Sequence, residues 1–256
     1  MKKLFIPDPD SYKGKNGRLL IIAGSKKYHG AAVMSAAMAA KIVDFLYIYT
    51  TKSNFDLIKK TREKLAEFIY INDADLDRTT KEADAILVGP GLLPDKKTAN
   101  LVKKILKNHP DKKILLDAGA LRVLNHTELT QNCIITPHKQ EFKALFGTDP
   151  TVEEAAKISL TCPAVIILKG SIDYVIQDGK IFYNNNGNVG MTKGGTGDVL
   201  AGLLSALLTK NDPLTASKQA VFANGKAGDR LYKKYKHFYS ATELIPAVQT
   251  ILATKK

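Results

Sequence analysis

The chain has 256 residues, 45% of them hydrophobic, and this length and composition predict a single globular α/β domain over residues 1–256. Its longest apolar runs fall short of the roughly 20 residues that a membrane helix needs, and its start (MKKLFIPDPD) lacks a secretion signal, so we expect no membrane segment and a cytoplasmic location. The net charge of +13 favours anionic ligands, but the lysines are scattered in pairs rather than clustered, which argues against nucleic-acid binding.

The N-terminal half of the chain predicts strands that alternate with helices. Short apolar runs between turn residues indicate strands, and periodic or alanine-rich segments indicate helices. We predict strands at 18–23, 45–50, 68–71, 85–88 and 113–116, and helices at 31–43, 56–64, 97–107 and 118–124. Gly89-Pro90-Gly91 fits a tight turn after a strand, at the edge where open α/β sheets bind ligands. Asp117 also follows a strand, and we favour helix capping over a site role for its side chain.

The C-terminal half continues the alternation and adds a hairpin. We predict strands at 133–136 and 164–168, helices at 151–160, 199–208, 214–235 and 240–253, and a hairpin of 174–177 with 180–183. The Asp178-Gly179 pair between the hairpin strands favours a two-residue turn. Together the two halves predict a mostly parallel central sheet with helices on both faces, a late β-hairpin and a ligand site at the carboxyl edge.

The stretch from 184 to 208 gives the strongest indication of a binding site. Five glycines fall within its first fourteen residues, and its loop ends in Gly194-Gly195-Thr196-Gly197-Asp198 before a predicted helix. Backbone N–H groups at such a helix start bind phosphate or another anion. Asp198 is either a partner of the helix dipole or a base for a bound hydroxyl, and its position alone leaves both open. The flanking glycines favour the second interpretation, and with it phosphoryl transfer to an alcohol.

Two residue pairs are candidates for a metal site or a disulfide. His138 and Glu141 stand three apart at a predicted helix start, so they either share a metal or are a surface histidine and a first-turn acid. Cys133 and Cys162 have neither CxxC spacing nor a histidine cluster beside them, which predicts buried free thiols.

Four motifs in order resemble those of a known family. The chain has no Walker loop and no strand-linked GxGxxG, which argues against P-loop enzymes and ordinary dinucleotide-binding folds. The motifs are AGS at 23–25 followed by GAA at 30–32, GPG at 89–91, TPHxxE at 136–141 and GGTGD at 194–198. They resemble the ribokinase-like superfamily, most closely its ADP- or ATP-dependent NAD(P)H-hydrate dehydratases. The resemblance starts at about residue 17, so we expect no epimerase domain, which some relatives carry, ahead of it.

The resemblance implies a metabolite-repair enzyme. Such an enzyme returns hydrated NADH or NADPH (NADHX or NADPHX) to the reduced cofactor, using ADP or ATP as phosphoryl donor together with Mg²⁺. The resemblance also implies that Asp198 is the base acting on the C6 hydroxyl of the hydrated ring, beside an anion hole of Gly195, Thr196 and Gly197. Relatives often form homo-oligomers, and we expect one here.

The same resemblance assigns binding residues. The positions that line the hydrate's pocket are Ala31, Ala32, Gly91, His138 and Asp198. The positions that contact the adenine nucleotide are Lys169, Gly170, Ser171, Ile172, Asp173 and Gly197. Relatives usually have threonine where this chain has Asp173, which puts that contact in doubt. Glu141 matches an acidic position that organises Mg²⁺ through water.

Two other classes of function share some of these features. A small-molecule kinase of the same superfamily, acting on a hydroxymethylpyrimidine or thiazole alcohol, would use the same base and anion hole. A non-enzymatic nucleotide sensor would bind ADP or ATP without turnover. Recovery of nicotinamide absorbance with phosphate release would distinguish the dehydratase from both.

Overall fold

The computed structural model describes residues 3–63 and 65–254, and the strands in these residues form one continuous sheet. The strands are Arg18–Ile22 (β1), Phe45–Tyr49 (β2), Ile69–Ile71 (β3), Ala85–Val88 (β4), Lys113–Leu116 (β5), Cys133–Ile135 (β6), Val165–Leu168 (β7), Asp173–Gln177 (β8) and Lys180–Asn184 (β9). All nine predicted strands are therefore confirmed, with shifts of a residue or two at their ends.

The helices mostly agree with the sequence. They are His29–Ala39 (α1), Lys52–Ile58 (α2), Asp73–Glu82 (α3), Lys96–Asn108 (α4), Lys139–Phe146 (α5), Val152–Ile158 (α6), Thr196–Leu208 (α7), Pro213–Tyr235 (α8) and Ala241–Ala253 (α9). The predicted helix at 56–64 is wrong in its bounds, because α2 begins four residues earlier and continues as a 3-10 segment, Lys59–Glu63; residue 64 lies outside the described residues. The predicted helix at 118–124 is wrong, since only a 3-10 turn, Ala118–Ala120, forms there.

The strand order creates a crevice at one edge of the sheet. The order is β3-β2-β1-β4-β5-β6-β7-β8-β9, with β1 to β7 parallel and the β8–β9 hairpin antiparallel. The chain moves outward from β1 to β3 and then returns to β4 on the other side of β1. Loops that follow β1 and β4 therefore diverge, and ligands of open α/β sheets bind at the carboxyl edge beside such a switch point.

Helices cover both faces of the sheet, as the alternation predicted. Leu19, Ile21 and Leu87 point to a core shared with α1, α7, α8 and α9. Leu20 and Ile86 point to the opposite core, which includes side chains of α4, α5 and α6. The cysteines belong to this second core as buried free thiols, as expected. Across residues 3–63 and 65–254, no helix has the length and apolar character that a membrane crossing requires.

Candidate active site

Three polar side chains lie together at the ends of adjacent parallel strands. Asp117 follows β5, Thr136 follows β6 and Lys169 follows β7. Lys169 Nζ lies 2.8 Å from Asp117 Oδ1, and the Thr136 hydroxyl donates to the same oxygen over 2.7 Å. Asp117 and Thr136 are buried, and the Lys169 side chain is 22% exposed. The sheet therefore holds a charged pair, supported by a hydroxyl, at the floor of its carboxyl edge.

The interpretation of Asp117 as a helix cap is wrong. Its side chain makes no capping bond to the short turn that follows, because its carboxylate is occupied by Lys169 and Thr136. This cluster was not predicted from the sequence. The available signal was positional: three polar residues each directly follow a short apolar strand, and the carboxyl ends of parallel strands meet at one edge.

The Gly194–Asp198 loop forms the start of α7 at this edge. Gly195 is the N-cap residue and has φ of 93°, a left-handed conformation that favours glycine. A Cβ on Gly194 or Gly197 would meet no atom within 4 Å, so the backbone here borders open space. Thr196, unlike these glycines, is held by bonds within the protein. Its N–H donates to the Lys193 carbonyl at 3.3 Å, and its hydroxyl donates to the Met191 and Lys193 carbonyls. Thr196 thus stabilises the loop through bonds within the loop itself.

Asp198 lies in the first turn of α7 with its backbone fixed to α1. Its carbonyl accepts a hydrogen bond from the Ser35 hydroxyl at 3.0 Å. Burial raises the pKa of its carboxyl to about 6; the Asp117 carboxylate raises this pKa further and the Lys169 ammonium lowers it. Asp198 is thus electrostatically coupled to the Asp117–Lys169 pair. A carboxylate of this pKa is mostly ionised at neutral pH yet basic enough to accept a proton.

Three of the residues predicted to bind the hydrate, Ala31, Ala32 and Gly91, lie at the switch point between β1 and β4. The Gly24 N–H donates to the Pro90 carbonyl at 2.7 Å, which joins the two loops. A Cβ on Gly91 would lie 2.8 Å from the Ala31 Cβ, and one on Gly24 would lie 3.1 Å from the Ala32 Cβ. Small residues therefore allow the start of α1 to approach both loops closely.

His138 and Glu141 form a helix cap. His138 is the N-cap of α5, and its Nδ1 accepts from the N–H groups of Gln140 and Glu141 at 3.1 and 3.2 Å. Glu141 Oε2 accepts from the His138 N–H at 3.0 Å, which completes a capping box. This geometry corrects the idea that both side chains lie on one face within a helix. His138 still borders the site, because it pairs with Lys169 through a parallel bridge.

The segment 169–173 forms the turn between β7 and β8. Asp173 begins β8 and its Oδ1 accepts from the Gly170 N–H at 3.2 Å, which closes the turn. Burial raises the pKa of the Asp173 carboxyl. Burial also lowers the pKa of Lys169, but attraction to the carboxylates of Asp117, Glu141 and Asp173 outweighs this effect and the pKa is raised. Lys169 therefore remains a cation facing the edge of the sheet, while Ser171 and Ile172 are exposed at the tip of the turn.

The acidic side chains suit a magnesium ion that arrives on a phosphate. Within the part of the chain that the structure describes, no group of three or more His, Cys, Asp or Glu side chains could hold a metal. Mg²⁺ bound to a nucleotide needs only one or two carboxylates, because it keeps several waters and phosphate oxygens as ligands. Glu141 provides one buried carboxylate, with Oε2 used in the capping box and Oε1 lying 3.5 Å from His138 Nε2.

Comparisons with known proteins agree on one family. The family model for NAD(P)H-hydrate dehydratase matches residues 19–250. The ADP-dependent (S)-NAD(P)H-hydrate dehydratase of Nitrosopumilus maritimus is 34% identical over 98% of this chain and 94% of its own. The bifunctional NAD(P)H-hydrate repair enzyme of Methanocaldococcus jannaschii is 35% identical over 98% of this chain, which spans 51% of that relative's length.

A solved structure has the same fold. The ADP/ATP-dependent NAD(P)H-hydrate dehydratase of Bacillus subtilis, co-crystallised with ATP and Mg²⁺, superposes with a TM-score of 0.81 at 27% identity, over 97% of this chain and 93% of that one. A ribokinase-like superfamily protein of Enterococcus faecalis also superposes, with a TM-score of 0.89 at 25% identity, over 98% of this chain and 91% of that one. The fold is therefore ribokinase-like, as the motifs implied. Because the family model covers nearly the whole chain and the Nitrosopumilus maritimus relative is matched over 94% of its length, the chain belongs to the NAD(P)H-hydrate dehydratase family.

Proposed function

We propose that the chain converts NADHX and NADPHX to NADH and NADPH at the expense of ADP or ATP. The C6 hydroxyl oxygen of the hydrated ring attacks the terminal phosphorus, the bond from phosphorus to the nucleotide breaks, and the hydroxyl proton moves to Asp198. The ring nitrogen's lone pair then expels phosphate from C6, and loss of a proton from C5 restores the dihydropyridine. ADP would yield AMP and phosphate, and ATP would yield ADP and phosphate.

The observation that carries this proposal is the coupled group of Asp198, Asp117 and Lys169 beside the glycine-rich start of α7. Asp198 has a pKa of about 6, which suits a base at neutral pH. The positive end of the α7 dipole and the Lys169 ammonium both favour the charge that develops on a transferring phosphoryl group. The site thus combines a proton acceptor with stabilisation of negative charge.

The binding roles follow the layout of the sheet. We propose that the hydrated ring occupies the switch point at Ala31, Ala32 and Gly91, with His138 at its border. The adenine nucleotide would lie on the other side of Asp198, against the turn at 169–173 and Gly197. Mg²⁺, held by the phosphates and through water by Glu141, would supply Lewis-acid stabilisation of the transferring group. The match to the dehydratase family model favours this function over the kinase alternative.

Incubation of the protein with NADHX, Mg²⁺ and either ADP or ATP tests the proposal. We expect recovery of nicotinamide absorbance with release of one phosphate for each hydrate consumed. Asp198→Asn should lower turnover by a factor of about 10² or more, because the amide cannot accept the proton. Because folding raises the pKa of Asp198 from 3.8 to about 6, ionisation of this carboxyl lowers the free energy of unfolding as the pH rises from about 4 to about 6. The neutral variant should therefore not lose stability at neutral pH.

The controls separate the possible functions. A stable phosphorylated product without recovery of absorbance would indicate a kinase. Nucleotide binding without any turnover would indicate a sensor. Comparable turnover by Asp198→Asn, with an unchanged melting temperature, would remove this residue from the mechanism.

A further inference from the structure

A cavity of about 500 Å³ lies at the carboxyl edge on the side of the sheet away from the β7–β8 turn. It is bounded by the ends of β2 and β3, by α2 and by the first turns of α4. None of the four sequence motifs contributes a residue to it. The cavity adjoins the switch point, because one of its lining residues, Leu92, directly follows Gly91 of the GPG turn.

The lining of this cavity combines aromatic rings with hydrogen-bonding and charged groups. The Phe55 and Tyr70 rings stack with centroids 3.8 Å apart, and both residues are half-buried at the cavity wall. The Tyr49 hydroxyl donates to Asp73 Oδ1 over 2.5 Å, and burial together with this bond raises the pKa of Tyr49 to about 12. Lys52 of α2 and Lys97 of α4 also line the cavity and are exposed.

These groups match the chemistry of a nucleoside phosphate. A purine base stacks on an aromatic face, and a carboxylate such as that of Asp73 can accept hydrogen bonds from ribose hydroxyls. Lysine ammonium groups attract phosphate. The lining is therefore suited to an adenosine unit with an attached phosphate more than to a purely apolar ligand.

The wall of the cavity is joined to the loop after β1. Thr50 is one of the lining residues, and its hydroxyl donates to the Gly24 carbonyl at 3.5 Å and accepts from Asn54 Nδ2 at 2.6 Å. A Cβ on Gly24 would lie 2.2 Å from the same Asn54 nitrogen. Asn54 directly precedes Phe55, so the switch-point loop and the aromatic wall are packed as one unit.

The sheet also sets the distance between the switch point and this cavity. Strands in a sheet are about 4.8 Å apart, so the ends of β1 and β3 are separated by roughly 10 Å. An extended dinucleotide can span such a distance with its two halves on different strands, as dinucleotides do across the switch points of α/β sheets. The phosphoryl donor would occupy the opposite side, at β7 and β8.

We propose that this cavity binds the adenosine half of the hydrated dinucleotide, while the hydrated nicotinamide lies at the switch point. The proposal rests on the function proposed above and adds a second subsite for the same substrate. The Phe55–Tyr70 pair would stack with the adenine, and Lys52 and Lys97 would attract the phosphates. The subsite raises the affinity for the dinucleotide without taking part in the chemical step.

Comparison of NADHX with the hydrate of reduced nicotinamide mononucleotide, which lacks the adenosine half, tests this subsite. The wild-type protein should have a kcat/KM at least about 10-fold higher for NADHX, because each stacked base contributes about tenfold or more to binding. Phe55→Ala and Tyr70→Ala should reduce the ratio of the two kcat/KM values by about 10-fold, mainly through the KM for NADHX. Phe55→Tyr keeps an aromatic ring and should preserve the ratio.

Tyr12→Ala is a matched control, because Tyr12 is 67% exposed and precedes β1 at the amino end of the sheet. It should leave the ratio unchanged, and melting curves should show that every variant is folded. Equal kcat/KM values of the wild type for the two hydrates would overturn the subsite, as would an unchanged ratio in both Phe55→Ala and Tyr70→Ala. Failure to turn over either hydrate would overturn the proposed function itself, and this inference with it.

Discussion

At the scale of single residues, the proton affinity of Asp198 depends on its neighbours. Burial raises its pKa, the Asp117 carboxylate raises it further, and Lys169 lowers it. Asp117 is itself held by Lys169 and Thr136, so its charge stays at a fixed place beside the base. We therefore expect Asp117 to set the pH range of activity without contacting the reacting hydroxyl.

The pH dependence of kcat/KM for NADHX tests whether Asp117 influences the pKa of Asp198. The acid limb should rise with unit slope and an apparent pKa of about 6, because the ionised carboxylate is the proton acceptor. Asp117→Asn removes a nearby negative charge, so the limb should move to lower pH. Asp178→Asn makes the same change at an exposed turn residue and should leave the limb in place. A limb that stays at the wild-type pH in Asp117→Asn, or moves upward, would contradict the coupling.

At the scale of elements, the position of Asp198 depends on how closely α1 and α7 approach. Gly202 of α7 faces Ser35 of α1, and a Cβ at this glycine would lie 2.3 Å from the Ser35 carbonyl oxygen and 2.8 Å from its Cα. The Ser35 hydroxyl in turn binds the Asp198 carbonyl. Ser35 therefore takes part both in the tight contact between α1 and α7 and in the placement of Asp198.

Gly202→Ala should therefore affect both stability and turnover. The added methyl meets backbone that cannot move aside, which should lower the free energy of unfolding by about 1–3 kcal/mol and reduce kcat/KM by displacing the start of α7. Gly30→Ala in α1 is the control for stability, because a Cβ there would meet no atom within 4 Å. Its higher helix propensity should raise stability by up to about 1 kcal/mol. Urea unfolding and the NADHX assay measure both effects, and equal stability changes in the two variants would contradict this account.

Strands and helices with a strong apolar pattern could be predicted from the sequence, whereas a helix made mostly of polar residues could not. Strands such as β4 and β7 are continuous apolar runs, and the start of α7 is defined by its glycines. The helix α3 was missed because its sequence, DADLDRTTKE, has leucine as its one large apolar residue, and its buried positions are Thr79 and Thr80. The cap at Asn72 and the first-turn acids Asp73 and Asp75 were the available signals.

Parts of the candidate site that lie within one short segment could be predicted from the sequence, and parts that join distant segments could not. Local motifs predicted Asp198, Gly91 and the 169–173 turn as site residues, because each motif is contained within a few consecutive residues. The Asp117–Lys169 pair joins residues 52 apart in sequence, and the Phe55–Tyr70 wall joins α2 to β3. Such contacts depend on the strand order, which the alternation of strands and helices does not determine.

At the scale of the whole molecule, one sheet runs through the described chain with a core on each face. Both cores include side chains of the same strands, so loss of one core would expose one face of the sheet that the other core needs. We therefore expect a single cooperative unfolding transition. The proposed nucleotide site lies where the loops of several strands converge, so a bound ligand should stabilise the molecule as one unit.

Thermal unfolding with ADP and Mg²⁺ tests this expectation. A ligand at 100 times its dissociation constant adds about 2.7 kcal/mol, which corresponds to a rise of roughly 5–10 °C for a domain of this size. Glu141→Gln keeps an oxygen for the His138 N–H but removes the charge. It should raise the Mg²⁺ concentration that gives half of the ADP-dependent shift by about 10-fold, with little change in the ligand-free melting temperature. Two separate transitions would contradict the shared sheet. An equal shift in EDTA, or in Glu141→Gln at limiting Mg²⁺, would exclude this residue from the magnesium site.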